Sequence, residues 1–413
     1  MAGFPKIPIS QLVATGEVEL KTGPFGTQLK ASDYTEHGTP VINVRNIGFG
    51  EIRADKLEYI STTTRDRLSS HILKSGDIVF GRKGAVERHV FIRIEQDGWF
   101  QGSDCLRLRF ASRRVEPLFA SYYFLTPEHQ RWMMNQCSHG ATMASLNQGI
   151  LERIELPLPP LPIQRRIAGI LSAYDELIEN SGRRIKILES MARALYREWF
   201  VHFRFPGCES VPRVPSPLGE IPKGWEVKAF SGIATYVNGY AFKPSDWGNE
   251  GKPIIKIKEL KAGVTADTPR NLGDRIPEKC HVRDGDILFS WSADLDAYLW
   301  MGGEGLLNQH LFNVLPFDGV TRAFCFHALQ EAMPRFRALS LGATMHHIKR
   351  SALDQVSTVV PLAATRAHFE EVVEPIHMQL VTLTRHVQNL RRTRDLLLPR
   401  LLSGQIDVEA IGS

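Results

Sequence analysis

The chain has 413 residues, which is long enough for two or three domains that each bury a core. Its composition, 43% hydrophobic and 23% charged, is that of an ordinary soluble protein, and no run approaches the ~18 apolar residues of a membrane span. Because the N-terminal segment also lacks an apolar signal core, we expect a cytoplasmic protein. The net charge of +5 favours an acidic partner only modestly, and the five cysteines, never in a CxxC pair, support neither a disulfide framework nor a zinc site.

The first part of the chain is predicted to form short strands separated by turns. "TPVINVRNI" at 39–47 has alternating apolar positions, and "SGDIVF" at 75–80 is a Gly-Asp turn followed by an apolar strand. The next turn, "GRKGAVERH" at 81–89, carries cations around two glycines, so its backbone could approach a phosphate or a base edge closely. A solvated surface is the ordinary alternative for any one of these cations. The candidate DNA contacts in this part are Arg45, Arg82, Lys83 and Arg88.

A long amphipathic helix is predicted from Pro162 onward. Proline suits the first turn of a helix, where its missing N–H has no partner to lose. Apolar residues then recur at steps of three and four, the spacing of a heptad seam, with Ser181 in the one gap, where the pattern stutters. The predicted seam consists of Ile163, Ile167, Ile170, Tyr174, Leu177, Ile185, Leu188, Ala192, Leu195 and Trp199.

The second half of the chain repeats the strand pattern with different loop chemistry. "KPIIKIKEL" at 252–260 predicts a strand that places Lys256 and Lys258 on one exposed face. The Gly-Asp strand recurs as "DGDILF" at 284–289, but its turn, "SWSADLDAY" at 290–298, is acidic and aromatic and would read a different pattern of base edges. The candidate DNA contacts in this part are Lys256, Lys258, Trp291, His346 and Lys349.

A second long helix is predicted near the C-terminus and stops near Gly404, a typical C-cap residue. Pro375 lies inside its apolar pattern, so we expect it to kink the helix or to mark the true start. Arg394 occupies the one polar gap. The predicted seam consists of Phe369, Val373, Ile376, Leu380, Leu383, Val387, Leu390, Leu397 and Leu401.

Three sequence blocks occur twice in the same order. "GTPVINVRNI" at 38–47 matches "GKPIIKIKEL" at 251–260, and "SGDIVFGRKG" at 75–84 matches "DGDILFSWSA" at 284–293. Gly-Ala-Thr-Met stands at 140–143 and again at 342–345. The offset between copies drifts only slowly, which indicates a duplicated unit of about two hundred residues rather than chance.

Two helices of similar length with one apolar seam each favour an antiparallel coiled coil over separate packing of each helix on its own domain. A helix of about 37 residues rises roughly 55 Å at ~1.5 Å per residue. Half-sites on duplex DNA lie ~34 to 36 Å apart per helical turn. Such a coil could therefore hold two DNA-reading domains a set distance apart.

Catalytic motifs are not found in the sequence. It has no Walker-type glycine loop, no HExxH, no GxSxG and no Asn-Pro-Pro-Tyr or Asp-Pro-Pro-Tyr. Glu226 and Lys228 in "GWEVK" echo part of a nuclease site, but chance explains them better. Two alternatives to a DNA-reading module stay open: a single-chain DNA-cleaving or methylating enzyme, and a coiled-coil scaffold that does not bind DNA.

Four segments resemble the specificity (S) subunits of type I restriction-modification systems. They are "GPFGTQLKASDY" at 23–34, "LPLPPLPIQRRIAGILSAYDELIE" at 156–179, "LGEIPKGWEVK" at 218–228 and "RDLLLPRLLSGQI" at 394–406. The central and C-terminal motifs are the most specific of these. The segment "PLAATRAHFEEVVEP" at 361–375 departs from the family's usual pattern.

The resemblance implies an α+β fold in which two mixed α/β target-recognition domains are separated by two long helices. These helices would pair as an antiparallel coiled coil, within an internal pseudo-two-fold repeat. The implied domains are a first target-recognition domain (1–159), a central conserved helix (160–203), a second target-recognition domain (204–360) and a C-terminal conserved helix (361–413).

The resemblance also implies a function. Each recognition domain would read one half of a split site on double-stranded DNA, and the helices would set the gap and dock two methyltransferase (M) subunits. Those subunits would bind S-adenosylmethionine and methylate adenine, and restriction and translocation (R) subunits would join for cleavage. The chain itself would then hold no cofactor or metal and would be catalytically silent.

Overall fold

The computed structural model describes residues 4–137, 144–292, 294–339 and 348–408. The chain divides into two compact units. Unit 1 consists of Met1–Glu176 with Leu390–Ser413, and unit 2 of Leu177–Asn389. Each unit therefore combines one β-rich region with part of each of two long helices.

Unit 1 is built on two sheets. Its strands are β1 (Lys6–Pro8), β2 (Val18–Thr22), β3 (Tyr34–Thr35), β4 (Thr39–Ile42), β5 (Phe49–Gly50), β6 (Glu58–Ile60), β7 (Ile78–Gly81), β8 (His89–Phe91), β9 (Phe100–Gln101), β10 (Cys105–Phe110) and β11 (Glu155–Pro157). The larger sheet has the order β2-β10-β7-β8-β5, and the smaller one β3-β6-β4-β9. A separate antiparallel pair joins β1 to β11.

Four helices of unit 1 pack with the larger sheet: α1 (Ile9–Ala14), α3 (Pro117–Phe124), α4 (Pro127–Cys137) and α5 (Gln148–Glu152). A fifth, α2 (Thr62–Arg67), directly follows β6 of the smaller sheet. Strand β7 is buried at every position, as a central strand packed on both faces should be. Its Phe80 packs edge-on against Phe124 of α3, so the core lies between this sheet and the helices.

The first long helix, α6, spans Leu161–Tyr196 and ends in a π-helical turn at Arg197–Val201. Its first part lies in unit 1 and the remainder in unit 2.

Unit 2 repeats the topology of unit 1. Its strands are β12 (Arg213–Ser216), β13 (Gly219–Pro222), β14 (Glu226–Ala229), β15 (Ala234–Asn238), β16 (Lys252–Ile255), β17 (Arg270–Asn271), β18 (His281–Val282), β19 (Ile287–Ser290), β20 (Asp296–Leu299), β21 (Gly305–Leu307), β22 (Leu311–Pro316) and β23 (Ser357–Val360). The larger sheet has the order β15-β22-β19-β20, and the smaller one β17-β16-β21-β18. Its shorter helices are α7 (Ile257–Ala262), α8 (Arg322–Leu339) and α9 (Ala352–Gln355).

The second long helix, α10, spans Ala363–Leu402. It begins twelve residues before Pro375 and continues through it, so the prediction that this proline could mark the start of the helix is wrong. The packing of Phe369 and Val373, both fully buried, explains why the first turns form despite the proline.

The two long helices run antiparallel. In unit 1, Ile167 and Leu171 near the start of α6 share a cluster with Leu398 and Leu401 near the end of α10. In unit 2 the end of α6 and the start of α10 share the core, through Tyr196, Trp199, Phe369 and Val373.

The sequence duplication is a duplication of structure. Both larger sheets have an antiparallel centre, β10-β7 in unit 1 and β22-β19 in unit 2, and both smaller sheets contain one parallel pair, β4-β9 and β16-β21. The Gly-Asp turns also match, since the Lys74 N–H donates to Asp77 Oδ2 at 2.8 Å and the Arg283 N–H donates to Asp286 Oδ2 at 2.9 Å. These features confirm an α+β fold with an internal repeat.

The buried face of α6 differs from the predicted seam in its first half. Gln164, Ile167, Ala168 and Leu171 are buried, whereas Leu177 is 50% exposed. The buried row shifts because this part of α6 packs against α3 of the recognition region as well as against α10, which demands a wider face than a two-helix seam. In the second half of α6, Ser181 and Ala192 are buried. The partly buried seam positions along the whole helix are Ile163, Ile170, Tyr174, Ile185, Leu188 and Leu195.

The seam of α10 lies where the heptad pattern places it. Phe369, Val373, Leu380, Leu383, Val387 and Leu401 are buried, and Ile376, Leu390 and Leu397 are partly buried. None of the described helices is long and apolar enough to cross a membrane.

Candidate nucleic-acid interface

The basic turn of unit 1 is the loop 82–88 between β7 and β8, and three backbone hydrogen bonds hold its first half. The Arg82 N–H donates to the Asp104 carbonyl at 2.9 Å, and the Leu146 N–H donates to the Arg82 carbonyl at 2.8 Å. The Gly84 N–H donates to the Ala144 carbonyl at 3.1 Å. The loop is therefore fixed to the segment that follows the first Gly-Ala-Thr-Met, which itself lies outside the described residues.

The cations of this loop occupy different surroundings. Lys83 is 58% exposed and lies 3.3 Å from Asp104, a surface ion pair of little energetic weight that DNA could displace. Arg82 is half-buried. The Arg88 guanidinium lies over the Phe49 ring at 5.2 Å, and its Nε is 3.5 Å from Glu87 Oε1. Lys83 is thus the exposed cation of the loop, Arg82 lies beside it half-buried, and Arg88 is held against an aromatic ring.

The matching turn of unit 2, between β19 and β20, has the same anchor but different side chains. The Ile348 N–H donates to the Trp291 carbonyl at 3.2 Å, the counterpart of the bond between Leu146 and Arg82. The Trp291 ring is half-buried near Phe312, with ring centroids 5.8 Å apart. Asp294 receives a bond from Lys261 at 2.6 Å, and this contact is the main cause of the lowered pKa of the Asp294 carboxyl. The loop therefore presents a carboxylate that stays ionised.

Lys256 and Lys258 do not lie on one strand face, so that prediction is wrong. Strand β16 ends at Ile255, and α7 begins at Ile257 with Lys256 as its N-cap. The Glu259 carboxylate accepts the Lys256 N–H at 3.0 Å, closing a capping turn that competes successfully with strand extension. Lys258 is exposed in the first turn of α7, and no ion pair to it occurs among the described residues.

An exposed aromatic residue next to Lys256 was not predicted. Trp247 is 48% exposed, and the Lys256 Nζ lies 4.1 Å from the centre of its ring. A lysine over an exposed tryptophan offers both a charge for phosphate and a face for stacking. The repeat marks this position, because "LKASDY" at 29–34 and "FKPSDW" at 242–247 match at the offset of the first repeated block, but the proximity of Lys256 is seen only in the fold.

The counterpart of Trp247 in unit 1 is Tyr34. Both residues follow an identical turn, in which the Lys30 N–H donates to Asp33 and the Lys243 N–H donates to Asp246, each at 2.7 Å. Tyr34 is half-buried. Its burial, as the main cause, and the nearby Glu58 carboxylate both raise the pKa of Tyr34, so its hydroxyl stays protonated.

The other predicted contacts are scattered. Arg45 lies in a short 3-10 turn and pairs with Glu58 at 2.8 Å, with about half of each side chain exposed. Lys349 is exposed just after Ile348. His346 lies outside the described residues. Within the described residues, no group of three or more His, Cys, Asp or Glu side chains is arranged to hold a metal ion.

Comparison with known proteins identifies the family. The family model for the type I restriction modification DNA specificity domain matches residues 25–190 and 222–365, well over half of the chain. The chain belongs to the type I restriction-modification specificity subunits. The two matched segments each cover one copy of the duplicated unit, which agrees with the repeated topology.

Relatives of this specificity subunit match it at low identity over most of its length. It is 24% identical to the type I restriction enzyme MjaIX specificity subunit of Methanocaldococcus jannaschii over 310 residues, covering 70% of this chain and 69% of that protein. It is 23% identical to the putative MjaX specificity subunit of the same organism, covering 90% and 88%. It is also 23% identical to the HindI specificity subunit of Haemophilus influenzae, covering 81% and 87%.

The fold also matches a solved structure. The crystal structure of the type I restriction-modification system S subunit from M. genitalium has a TM-score of 0.62 at 15% identity, covering 97% of this chain and 99% of that one. At this identity the match shows a shared fold alone.

Proposed function

We propose that this specificity subunit reads a bipartite site on double-stranded DNA, with one half-site bound by the β-rich region of each unit. The observation that carries the proposal is the pair of matched loops. Both are anchored by the same backbone bond to the segment after Gly-Ala-Thr-Met, yet one presents Arg82 and Lys83 and the other Trp291 and Asp294. One scaffold with two loop chemistries suits recognition of two different half-sites.

The chemistry of each loop fits base and phosphate contacts. A guanidinium can donate two bonds to guanine, and a lysine can position the protein on a phosphate. An ionised carboxylate such as Asp294 can accept a bond from a cytosine amino group. Direct contacts of this kind, rather than the overall charge of +5, would supply the specificity.

The long helices are proposed to set the gap and to dock two methyltransferase subunits. With 36 residues, α6 rises roughly 54 Å at ~1.5 Å per residue, which exceeds one turn of DNA. Large apolar side chains remain exposed on both helices, and a partner could cover them. They are Leu177, Ile187 and Met191 on α6, and Val372, Met378 and Leu396 on α10.

Catalysis is assigned to the partners. The methyltransferase subunits would bind S-adenosylmethionine and methylate adenine, and restriction and translocation subunits would add cleavage. This chain would act by choosing the DNA sequence and holding the subunits together.

Methylation mapping tests the proposal. Host DNA is sequenced at base resolution with the chain and its neighbouring methyltransferase subunit present, and again after deletion of this chain alone. A split motif of two short half-sites, methylated on opposite strands and lost on deletion, is the expected result. Methylation that is unchanged by the deletion would contradict the proposal, and DNA cleavage by the purified chain with a divalent metal would point to an enzyme instead.

A further inference from the structure

In each unit a recognition region is joined to a long helix by a polar contact. In unit 1, the Tyr122 hydroxyl of α3 donates to Asp175 Oδ2 of α6 at 2.6 Å. In unit 2, His327 Nε2 of α8 lies 3.2 Å from His377 Nε2 of α10. Tyr122, His327 and His377 are at most 4% exposed, whereas the Asp175 side chain is 21% exposed. The contact is therefore fully buried in unit 2 and lies at the edge of the core in unit 1.

The two contacts occupy equivalent positions of the repeat. Tyr122 and His327 each stand three residues after a fully buried phenylalanine, Phe119 or Phe324, in the helix that follows the larger sheet. Asp175 and His377 are separated by 202 residues, the same offset as the two Gly-Ala-Thr-Met motifs.

A second matched pair supports this alignment. Gln164 of α6 donates to the Pro159 carbonyl at 2.7 Å, and Arg366 of α10 donates to the Pro361 carbonyl. Both side chains tie the start of a long helix to the proline-containing segment before it. The positions are therefore homologous, and the duplicated unit has kept a polar contact there while its residues changed completely.

In unit 1 a third element joins the contact. Arg394, in the polar gap of the α10 seam, donates to Asp175 Oδ1 at 2.6 Å. One carboxylate thus connects the recognition helix α3 to both long helices. A polar group within an apolar seam lowers stability relative to leucine but selects one register. A slip by one helical turn, ~5.4 Å, would separate Asp175 from Arg394, which would keep only Asp395 of its own helix as a partner.

The contact in unit 2 is neutral. Burial, as the leading cause, lowers the pKa of His327 to about 3 and that of His377 to about 4, so both rings are uncharged near neutral pH. The cations Arg193 and Arg322 act in the same direction. One ring can then donate to the other, and this requirement fixes the rotation of α8 against α10.

We propose that Tyr122, Asp175 and Arg394 in unit 1, and His327 and His377 in unit 2, are positioning residues. Their contacts fix the orientation of each recognition region on the long helices and so restrict the gap between half-sites. This inference rests on the proposed function. Adding one base pair to the gap moves a half-site by about 3.4 Å and turns it by about 34°, so a rigidly held recognition region should reject it. Once the contact is removed, the recognition region can adopt more than one orientation on the long helices and so bind DNA with the altered gap.

The test uses the assembled methyltransferase complex and a plasmid library in which the wild-type half-sites are separated by the natural gap or by one base pair more or fewer. One variant combines Tyr122→Phe, Asp175→Leu and Arg394→Leu, and the other combines His327→Leu and His377→Leu. Removing every partner of each contact leaves neither the Tyr122 hydroxyl nor a charge unpaired in the core, so folding is expected to survive. The control is Leu398→Ala, which truncates a buried apolar side chain of α10 one turn from Arg394 without removing a polar contact.

Wild type and Leu398→Ala should methylate sites with the natural gap at least about tenfold better than sites with either altered gap, since misplaced base contacts cost ~1 to 3 kcal/mol each. Each of the two contact-removing variants should lower that preference to within about threefold. Wild-type gap preference in both of these variants, or an equal loss in Leu398→Ala, would overturn the positioning role. If the wild-type complex methylates no split motif, the proposed function itself fails and this inference with it.

Discussion

At the scale of single residues, the duplication provides an internal comparison for the Gly-Asp turn. Asp77 is 1% exposed and accepts two bonds from the Arg109 guanidinium, both at 2.6 Å, besides the N–H of its own turn. Asp286 has the equivalent turn bond, but β22 carries Leu315 at the position of Arg109, and no ion pair to Asp286 occurs among the described residues. The same carboxylate thus closes an ion pair in one unit and only a turn in the other.

Asp77→Ala should therefore destabilise unit 1 much more than Asp286→Ala destabilises unit 2. Losing Asp77 removes two short charged hydrogen bonds from the half-buried Arg109, which keeps only Glu19 at 3.9 Å and the Ile72 carbonyl, and this costs about 3 kcal/mol. Losing the single turn bond of Asp286 costs about 1 kcal/mol. Hydrogen exchange of β10 and β22 amides measures each unit separately. Exchange in β10 should quicken ~100-fold in Asp77→Ala, and equal effects of the two substitutions would show that Arg109 contributes little.

At the scale of elements, α10 shows how packing overrides local preference. Pro375 has no N–H to donate to the Glu371 carbonyl, yet the helix continues through it because Phe369 and Val373 are anchored in the core of unit 2. The "KIKEL" segment shows the reverse case. Its alternation predicted a strand, but Glu259 caps the Lys256 N–H and a helix forms instead.

Pro375→Ala should stabilise the protein, because the exposed proline contributes no buried contact and alanine restores the missing hydrogen bond. The expected gain is about 1 to 3 kcal/mol, read as a higher midpoint of thermal unfolding. Met378→Ala, at a neighbouring exposed position, is the control and should change stability by less than about 0.5 kcal/mol. A lower midpoint for Pro375→Ala would mean that the packing of α10 depends on the geometry that the proline imposes.

At the scale of the whole molecule, the sequence predicts the features that depend on regular spacing. The duplication and the two seams follow from repeats and heptads, and the α+β fold class follows from the family resemblance. The structure confirms the repeat and the α+β fold. Two kinds of feature escape such patterns. The shifted face of α6 arises because α3 packs on it from a distant part of the chain, and the exposed Trp247 becomes a candidate contact only when Lys256 is folded against it.

Because the two units are copies with separate loops, each half of a bipartite site should respond to its own loop alone. Arg82→Glu with Lys83→Glu should weaken methylation of sites that carry the unit 1 half-site by tenfold or more, since each contact to a base or phosphate is worth ~1 to 3 kcal/mol. The bases required in the other half-site should stay the same. Lys6→Glu with Arg131→Glu makes the same change of net charge elsewhere in unit 1 and should leave the motif unaltered.

Base-resolution methylation of a library with both half-sites randomised separates the outcomes. A change confined to one half assigns loop 82–88 to that half-site. Equal weakening by the loop variant and by the control variant would reduce the role of the loop to general electrostatic attraction, which added salt would also abolish. An unchanged motif and unchanged rate in the loop variant would show that Arg82 and Lys83 make no contact with DNA, and the reading of that half-site would then fall to other surfaces of unit 1, among them Tyr34 and Arg45.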